Sequence, residues 1–150
     1  MQVGNKLLKL DQEFAVIEPD FHDGTITGIS VQGSQPVVLT CKEGEDGNVY
    51  RIHLPNVTAV VIDGFRLGNI IFNVYLYAGA ACPREILAKA TDLSCPEDAS
   101  RVDEIMTRFR TENWTLLHID CMDGGQVFVV AKSTVDQVQI ELVDIQRPVT

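Results

Sequence analysis

Two short stretches hold side chains that could do acid–base or metal chemistry. The first is Asp20-Phe21-His22-Asp23-Gly24, where an imidazole and a carboxylate are adjacent. Such a pair can ligate a metal or move a proton. The second is His118-Ile119-Asp120-Cys121-Met122-Asp123. On a strand, His118 and Asp120 project from one face and could share a metal. A protein metal site takes three or four ligands. His22, Asp23, His118 and Asp120 would have to converge, and His53 is the only other imidazole. Nothing in the spacing brings them together. The simpler expectation for 20–24 is a turn, with Asp20 bonding nearby backbone amides and Asp23-Gly24 reversing the chain. No metal, no cofactor and no catalytic residue is therefore expected.

The cysteines lead to the same expectation. Cys41, Cys82, Cys95 and Cys121 form no C-x-x-C pair, and Cys41 and Cys121 sit in apolar strand-like runs. Cys82 and Cys95 flank a predicted helix that would hold them about 15 Å apart, too far for a disulfide. Both lie near predicted helix starts, where a thiol pKa can be lowered, but neither has a histidine beside it. The four read as thiols of a cytoplasmic protein. The sequence contains no nucleophile elbow, no phosphate-binding lysine loop and no dinucleotide fingerprint.

A partner surface is the other chemistry the residues allow. Tyr75 and Tyr77 share one face of an apolar run, and Phe65 and Arg66 lie in the turn before it. Aromatic residues and arginine are enriched in protein interfaces. The competing reading of the tyrosines is an aromatic pair packed within the sheet.

Composition narrows the partners. The formal charge is −9 and 45% of residues are hydrophobic. A net negative field repels phosphate, so nucleic acid and anionic membrane are not expected partners; an acidic surface suits a basic protein partner, and the simpler reading is that the charge keeps the protein soluble. The N-terminus has no apolar signal region, and no apolar run approaches a membrane span.

The elements that must position these residues follow from patterning. Val57–Ile62 and Ile70–Tyr77 are apolar at odd and even positions, which suits strands covered on both faces, and Asp63–Asn69 reads as the turn joining them. Thr25–Gln32, Val37–Lys42 and Val49–Leu54 read as three strands of a meander, separated by turn-rich segments at 33–36 and 43–48. Residues 6–18 carry Leu7, Leu10, Phe14 and Ile17 at helical spacing and lean toward a short helix or turn, although Phe14-Ala15-Val16-Ile17 could equally be an edge strand. Pro83–Leu93 and a second segment with Val102, Ile105, Met106 and Phe109 read as amphipathic helices. Ser94 and Glu97 match a capping box, Arg108 and Arg110 suit a last turn, and Asn113 suits a left-handed helix stop. Trp114–Cys121 and Gln126–Lys132 read as a hairpin around 122–125, followed by an alternating strand at Val135–Ile145. The expected fold is a single α+β domain over 1–150. Its mainly antiparallel sheet is strongly curved or a partial barrel, of about 7–8 strands, with two helices near 83–112.

Three segments carry a resemblance: F-H-D-G-T-I-T-G-I at 21–29, D-G-N-V-Y-R-I-H-L-P-N-V at 46–57 and G-N-I-I-F-N-V at 68–74. Together they resemble a group of small uncharacterised bacterial proteins that carry H-D-G near the start of a meander and G-N-I-I entering a later strand. The resemblance covers residues 21–77 and implies no catalytic residue. Small acidic immunity proteins that neutralise toxins share the size and charge. The expected function is a non-enzymatic bacterial protein that binds a protein or itself, for instance as a homodimer through an open sheet edge. The alternatives are a small-molecule or metal-binding protein or enzyme using His22, Asp23, His118 and Asp120, and an immunity-type protein.

Overall fold

The computed structural model describes residues 8–44, 47–66 and 68–143. Leu7 of the expected helical stripe, Glu45 and Asp46 of the acidic turn, Leu67, and residues 144–145 of the last expected strand lie outside the described residues.

In chain order the strands are β1 (Lys9–Leu10), β2 (Val16–Glu18), β3 (Thr25–Ser30), β4 (Val37–Lys42), β5 (Val49–Leu54), β6 (Val57–Asp63) and β7 (Ile71–Ala78). Helices α1 (Arg84–Ala90) and α2 (Ala99–Thr111) follow, then β8 (Thr115–Cys121), β9 (Gln126–Ala131) and β10 (Gln139–Val143). Every pairing is antiparallel. The strands make a first sheet in the order β10-β5-β4-β3, a second in the order β6-β9-β8-β7, and a separate β1-β2 hairpin. The fold is thus α+β and mainly antiparallel, as expected.

Period-two alternation explains the first sheet. Val37, Leu39 and Cys41 of β4 are buried while the residues between them are half-buried. These side chains, with Tyr50, Ile52 and Leu54 of β5, pack in one core with Leu76, Leu117, Ile119, Val127 and Val129 of the second sheet. The opposite face of the second sheet carries Leu116, Phe128 and Val130, which pack with Leu87, Met106, Phe109 and Trp114. The second sheet is therefore the middle layer, between the first sheet and the helices.

Several expectations change. The single strongly curved sheet or partial barrel does not form, because the chain breaks between layers. At Pro55-Asn56 it leaves β5 of one sheet for β6 of the other. Proline donates no ladder hydrogen bond, and Asn56 takes a left-handed φ of 56°.

The strands covered on both faces are β8 and β9, whose residues are almost all buried, rather than 57–62 and 70–77. The latter form β6 and β7, the two edges of the second sheet. Segment 63–70 is accordingly a crossover and not a hairpin turn. It spans three strand spacings, about 14 Å, within reach of its length. It crosses over the β8–β9 turn. A Cβ on Gly125 would lie 3.0 Å from Asn69 Oδ1 and 3.1 Å from the Gly64 carbonyl. Asn69 is buried, and its Oδ1 accepts from the Arg66 amide at 3.0 Å.

Residues 9–18 form the β1-β2 hairpin, so the helical leaning fails and the edge-strand alternative holds at Val16–Glu18. Asp11 Oδ1 accepts from the amides of Glu13 (2.8 Å) and Ala15 (3.0 Å), which turns the chain back. Ser94 caps no helix: Pro96–Asp98 is a 3-10 turn that leads directly into α2. The reciprocal capping box lies at Thr134 and Gln137, opening a 3-10 turn over Val135–Gln137 where a strand was expected. Arg108 and Arg110 do occupy the last turn of α2, and Asn113 ends it at φ 53°. No helix among the described residues is long and apolar enough to cross a membrane.

Candidate functional site

Strand register writes three parallel rows across the helix-facing side of the second sheet. Ala59, Val130, Leu116 and Tyr77 form an apolar row beneath the helices. Val61, Phe128, His118 and Tyr75 form the next, and it is aromatic at three of its four positions. Asp63, Gln126, Asp120 and Asn73 form the third, and every member is polar. A central β-sheet face that turns from apolar to wholly polar within two rows is the kind of boundary at which small-molecule sites are built.

Hydrogen bonding within the last two rows has one self-consistent assignment. An ionised Asp120 can only accept. Gln126 therefore turns Nε2 toward Asp120 Oδ1, at 2.5 Å, and Oε1 toward His118 Nε2, at 2.5 Å. Gln126 Oε1 must accept, so His118 Nε2 carries the proton and donates. The Nδ1 lone pair is left, and Nδ1 is buried with no hydrogen-bond partner among the described residues. Burial holds the His118 pKa below its ordinary value, and Lys89 pushes the same way. The Gln126 bond and the Asp120 charge act against them without prevailing. The imidazole is neutral at neutral pH.

Aromatic stacking fixes the ring. His118 is 6% exposed. It lies against Phe128 with centroids 4.5 Å apart and against Tyr75 at 5.7 Å. Tyr75 stacks in turn on Tyr77 at 5.7 Å, and its hydroxyl accepts from Asn73 Nδ2 at 3.1 Å. Gln126 and Phe128, the two residues that hold His118, also line a cavity of about 700 Å³. Its other walls include Val61 and Ile62 of β6, with Asp63, Lys89, Asp92 and Ser94. The volume suits a small organic molecule.

The other expected candidates lie elsewhere. His22 Nδ1 donates to the Phe72 carbonyl at 2.8 Å. That bond, foremost, raises its pKa, and Asp23 and Asp20 add to it. Asp20 Oδ1 accepts from the His22 amide at 3.1 Å, and Asp23 adopts φ 63°, so 20–24 is the expected turn. His53 Nε2 lies 3.1 Å from Glu141 Oε2 on the first sheet. Among the described residues, no three His, Cys, Asp or Glu side chains are grouped as metal ligands. His118 and Asp120 do share a face, but Gln126 bridges them.

Of the four partner-surface candidates, Phe65 and Arg66 are exposed in the crossover, Tyr75 is half-buried, and Tyr77 is buried at 8% exposure. The tyrosines thus belong to the stacked aromatic column. Cys82 does not have a lowered pKa near its helix. Burial pushes it up to about 12, and also pushes Cys41 up to about 12 and Cys121 up to about 11. Those thiols are protonated at neutral pH.

No family model, curated protein or solved structure matches the chain.

The sequence pointed to His118 and Asp120 but not to Gln126, Phe128, Lys89 or Asp92. The spacing of Gln126 and Phe128 at i, i+2 on a strand was the signal for the first two. Lys89 and Asp92 had no local signal, because only helix packing brings them to the sheet.

Proposed function

We propose that this protein binds a small organic molecule in the cavity between β6, β9 and the C-terminal end of α1. One observation carries the reading: the Asp120–Gln126–His118 chain, whose amide is at once the brace of a buried imidazole and part of the cavity wall. An unpaired buried acceptor costs about 1–3 kcal/mol, and Gln126, which braces the ring that carries this one, is itself part of the cavity wall. Binding rather than catalysis is favoured because the His118 proton is committed to Gln126 and the buried thiols are protonated.

The test is a thermal-shift screen of chemically diverse small molecules with Ser94→Trp as a blocked control. Ser94 is exposed on the cavity rim, so the indole fills the cavity without disturbing the core. Hits that stabilise the parent protein and not the variant support the reading. Hits that stabilise both equally, or none at all, overturn it.

A second reading has its own observation. Ile70 and Met122 are exposed (43% and 48%) beside a cleft of about 560 Å³ at one end of the sandwich, and Phe72 (44%) lies two residues along. Asp23 and Lys42 both line that cleft, and Asp123 adjoins Met122. An apolar surface on a chain whose overall charge is −9 suits a basic protein partner better than a second copy. Light scattering at high concentration checks this: a monomer is expected, and a dimer overturns the preference.

A further inference from the structure

We infer that the ligand of this cavity is a short extended peptide, which joins the second sheet as an added antiparallel strand along the outer edge of β6. The inference rests on the small-molecule reading above and names its ligand.

Backbone alternation shows which groups are free. The Cys121 amide donates to the Gly125 carbonyl at 2.9 Å. Antiparallel ladders alternate bonded and non-bonded pairs, so β8 and β9 bond at Ile119–Val127 and Leu117–Val129. Gln126, Phe128 and Val130 then turn their backbone groups to Asp63, Val61 and Ala59 of β6. Val60 and Ile62 turn theirs away from the sheet. At the far edge the same alternation turns Leu76 of β7 outward, and its amide does donate outward, to the Phe14 carbonyl at 2.9 Å. The N-terminal hairpin thus covers the β7 edge. β6 is the opposite edge, and among the described residues no backbone group bonds to its outer side.

The cavity lies along that uncovered side. Four consecutive residues, Val60 to Asp63, line it, about 13 Å of strand. Successive side chains point to opposite faces of a sheet, so a cavity that meets all four reaches round the strand edge itself. Lys89, Asp92 and Ser94, at and beyond the end of α1, form the facing wall. The trough therefore presents N–H and C=O groups at strand spacing beside a helix end. An extended backbone is the ligand that matches such a row, and unpaired edge groups are a template for strand addition.

Side chains set the pattern of the peptide. Ile62 shares its sheet face with Val127, Ile119 and Val74, which are buried, yet it is 45% exposed. A residue paired with Ile62 on an added strand falls on the same face, so apolar side chains suit that position. The alternate residues fall on the helix side, where the cavity holds Asp63 and Asp92 against Lys89. The chain's charge of −9 favours basic side chains there.

The experiment titrates the ¹⁵N-labelled full chain with the blocked pentapeptide acetyl-Val-Lys-Val-Lys-Val-amide. The Val60 and Ile62 amides are expected to shift saturably and to gain protection from hydrogen exchange. N-methylation of the peptide's valines, whose amides donate to β6, should weaken binding at least tenfold. N-methylation of its lysines, whose amides point away, should change it less than threefold. Ile62→Pro removes one outward donor and no ladder bond, which an edge strand tolerates, and should also lose at least tenfold. Equal effects of the two methylation patterns overturn strand addition. So does a dimer of the free chain that protects the same two amides, which would put a second copy on the edge. No binding of the peptide overturns the peptide class, and thermal-shift hits blocked by Ser94→Trp then leave the small-molecule reading intact. No peptide binding together with an empty screen overturns both.

Discussion

The His118 imidazole lies flat against the Phe128 ring, with planes 8° from parallel and centroids 4.5 Å apart. The two residues are directly opposite in the β8–β9 ladder, so register alone sets the contact. Phe128 is also the cavity's aromatic wall.

Phe128→Ala should therefore cost about 3–5 kcal/mol, the range for deleting a buried phenyl ring. Phe128 is 3% exposed and packs with the helix-side core. Denaturant unfolding measures it. A loss under about 1 kcal/mol would mean that the row is not packed as described.

The stability of the protein should fall as pH drops below 6.5, in part through His118. Its folded pKa is lowered from 6.5, so between the two values the unfolded chain binds more protons. Stability then rises with pH across that window, by up to about 1.4 kcal/mol per pH unit for one proton. Above 6.5 the contribution is fully present. His22 has a raised pKa and acts with the opposite sign, its contribution being lost as pH rises through the folded value. Comparing the parent with His118→Phe between pH 7 and 5 isolates the first effect. The variant should have the shallower slope, and equal slopes contradict it.

Thiol reactivity should be graded by position. Cys95 is exposed, and Cys41, Cys82 and Cys121 are buried. At pH 8 a thiol-specific chromogenic reagent should find one fast thiol per folded chain, and all four of the chain's cysteines only after unfolding. Two or more fast thiols in the native protein would show that the core opens.

Gly24→Ala should be among the most damaging single-methyl additions. A Cβ there would sit 2.0 Å from the Lys42 carbonyl and 2.8 Å from the Phe21 carbonyl. Both are backbone atoms, in a turn that is itself tied to β7: the Ile71 amide donates to the Gly24 carbonyl at 2.8 Å. A loss of at least about 2 kcal/mol is expected in the same unfolding assay. A neutral result would show that the turn shifts freely.

Elements were legible in the sequence wherever one face decided them. Val37, Leu39 and Cys41 alternate because β4 has one core face, and Val102, Met106 and Phe109 repeat at helical spacing because α2 buries one stripe. Partner choice was not legible. Val57–Ile62 and Ile71–Tyr77 look as apolar as β8 and β9, yet they flank that pair as edges. Their own patterns carry no information about which ladder each joins. The curved single sheet failed at Pro55-Asn56, where two residues redirect the chain to another layer. His118 and Asp120 were visible as a same-face pair, and the 122–125 turn that sets their register was visible too. The amide between them was not, because Gln126 at a strand start reads as a solvent-facing residue until the third row is assembled.

The functional account depends on which His118 nitrogen carries the proton. Long-range ¹H–¹⁵N correlation of the imidazole at pH 7 reads this directly. A protonated Nε2 and a bare Nδ1 are the predicted result. A proton on Nδ1, or a doubly protonated ring, would contradict the Asp120–Gln126–His118 chain and the binding site built on it.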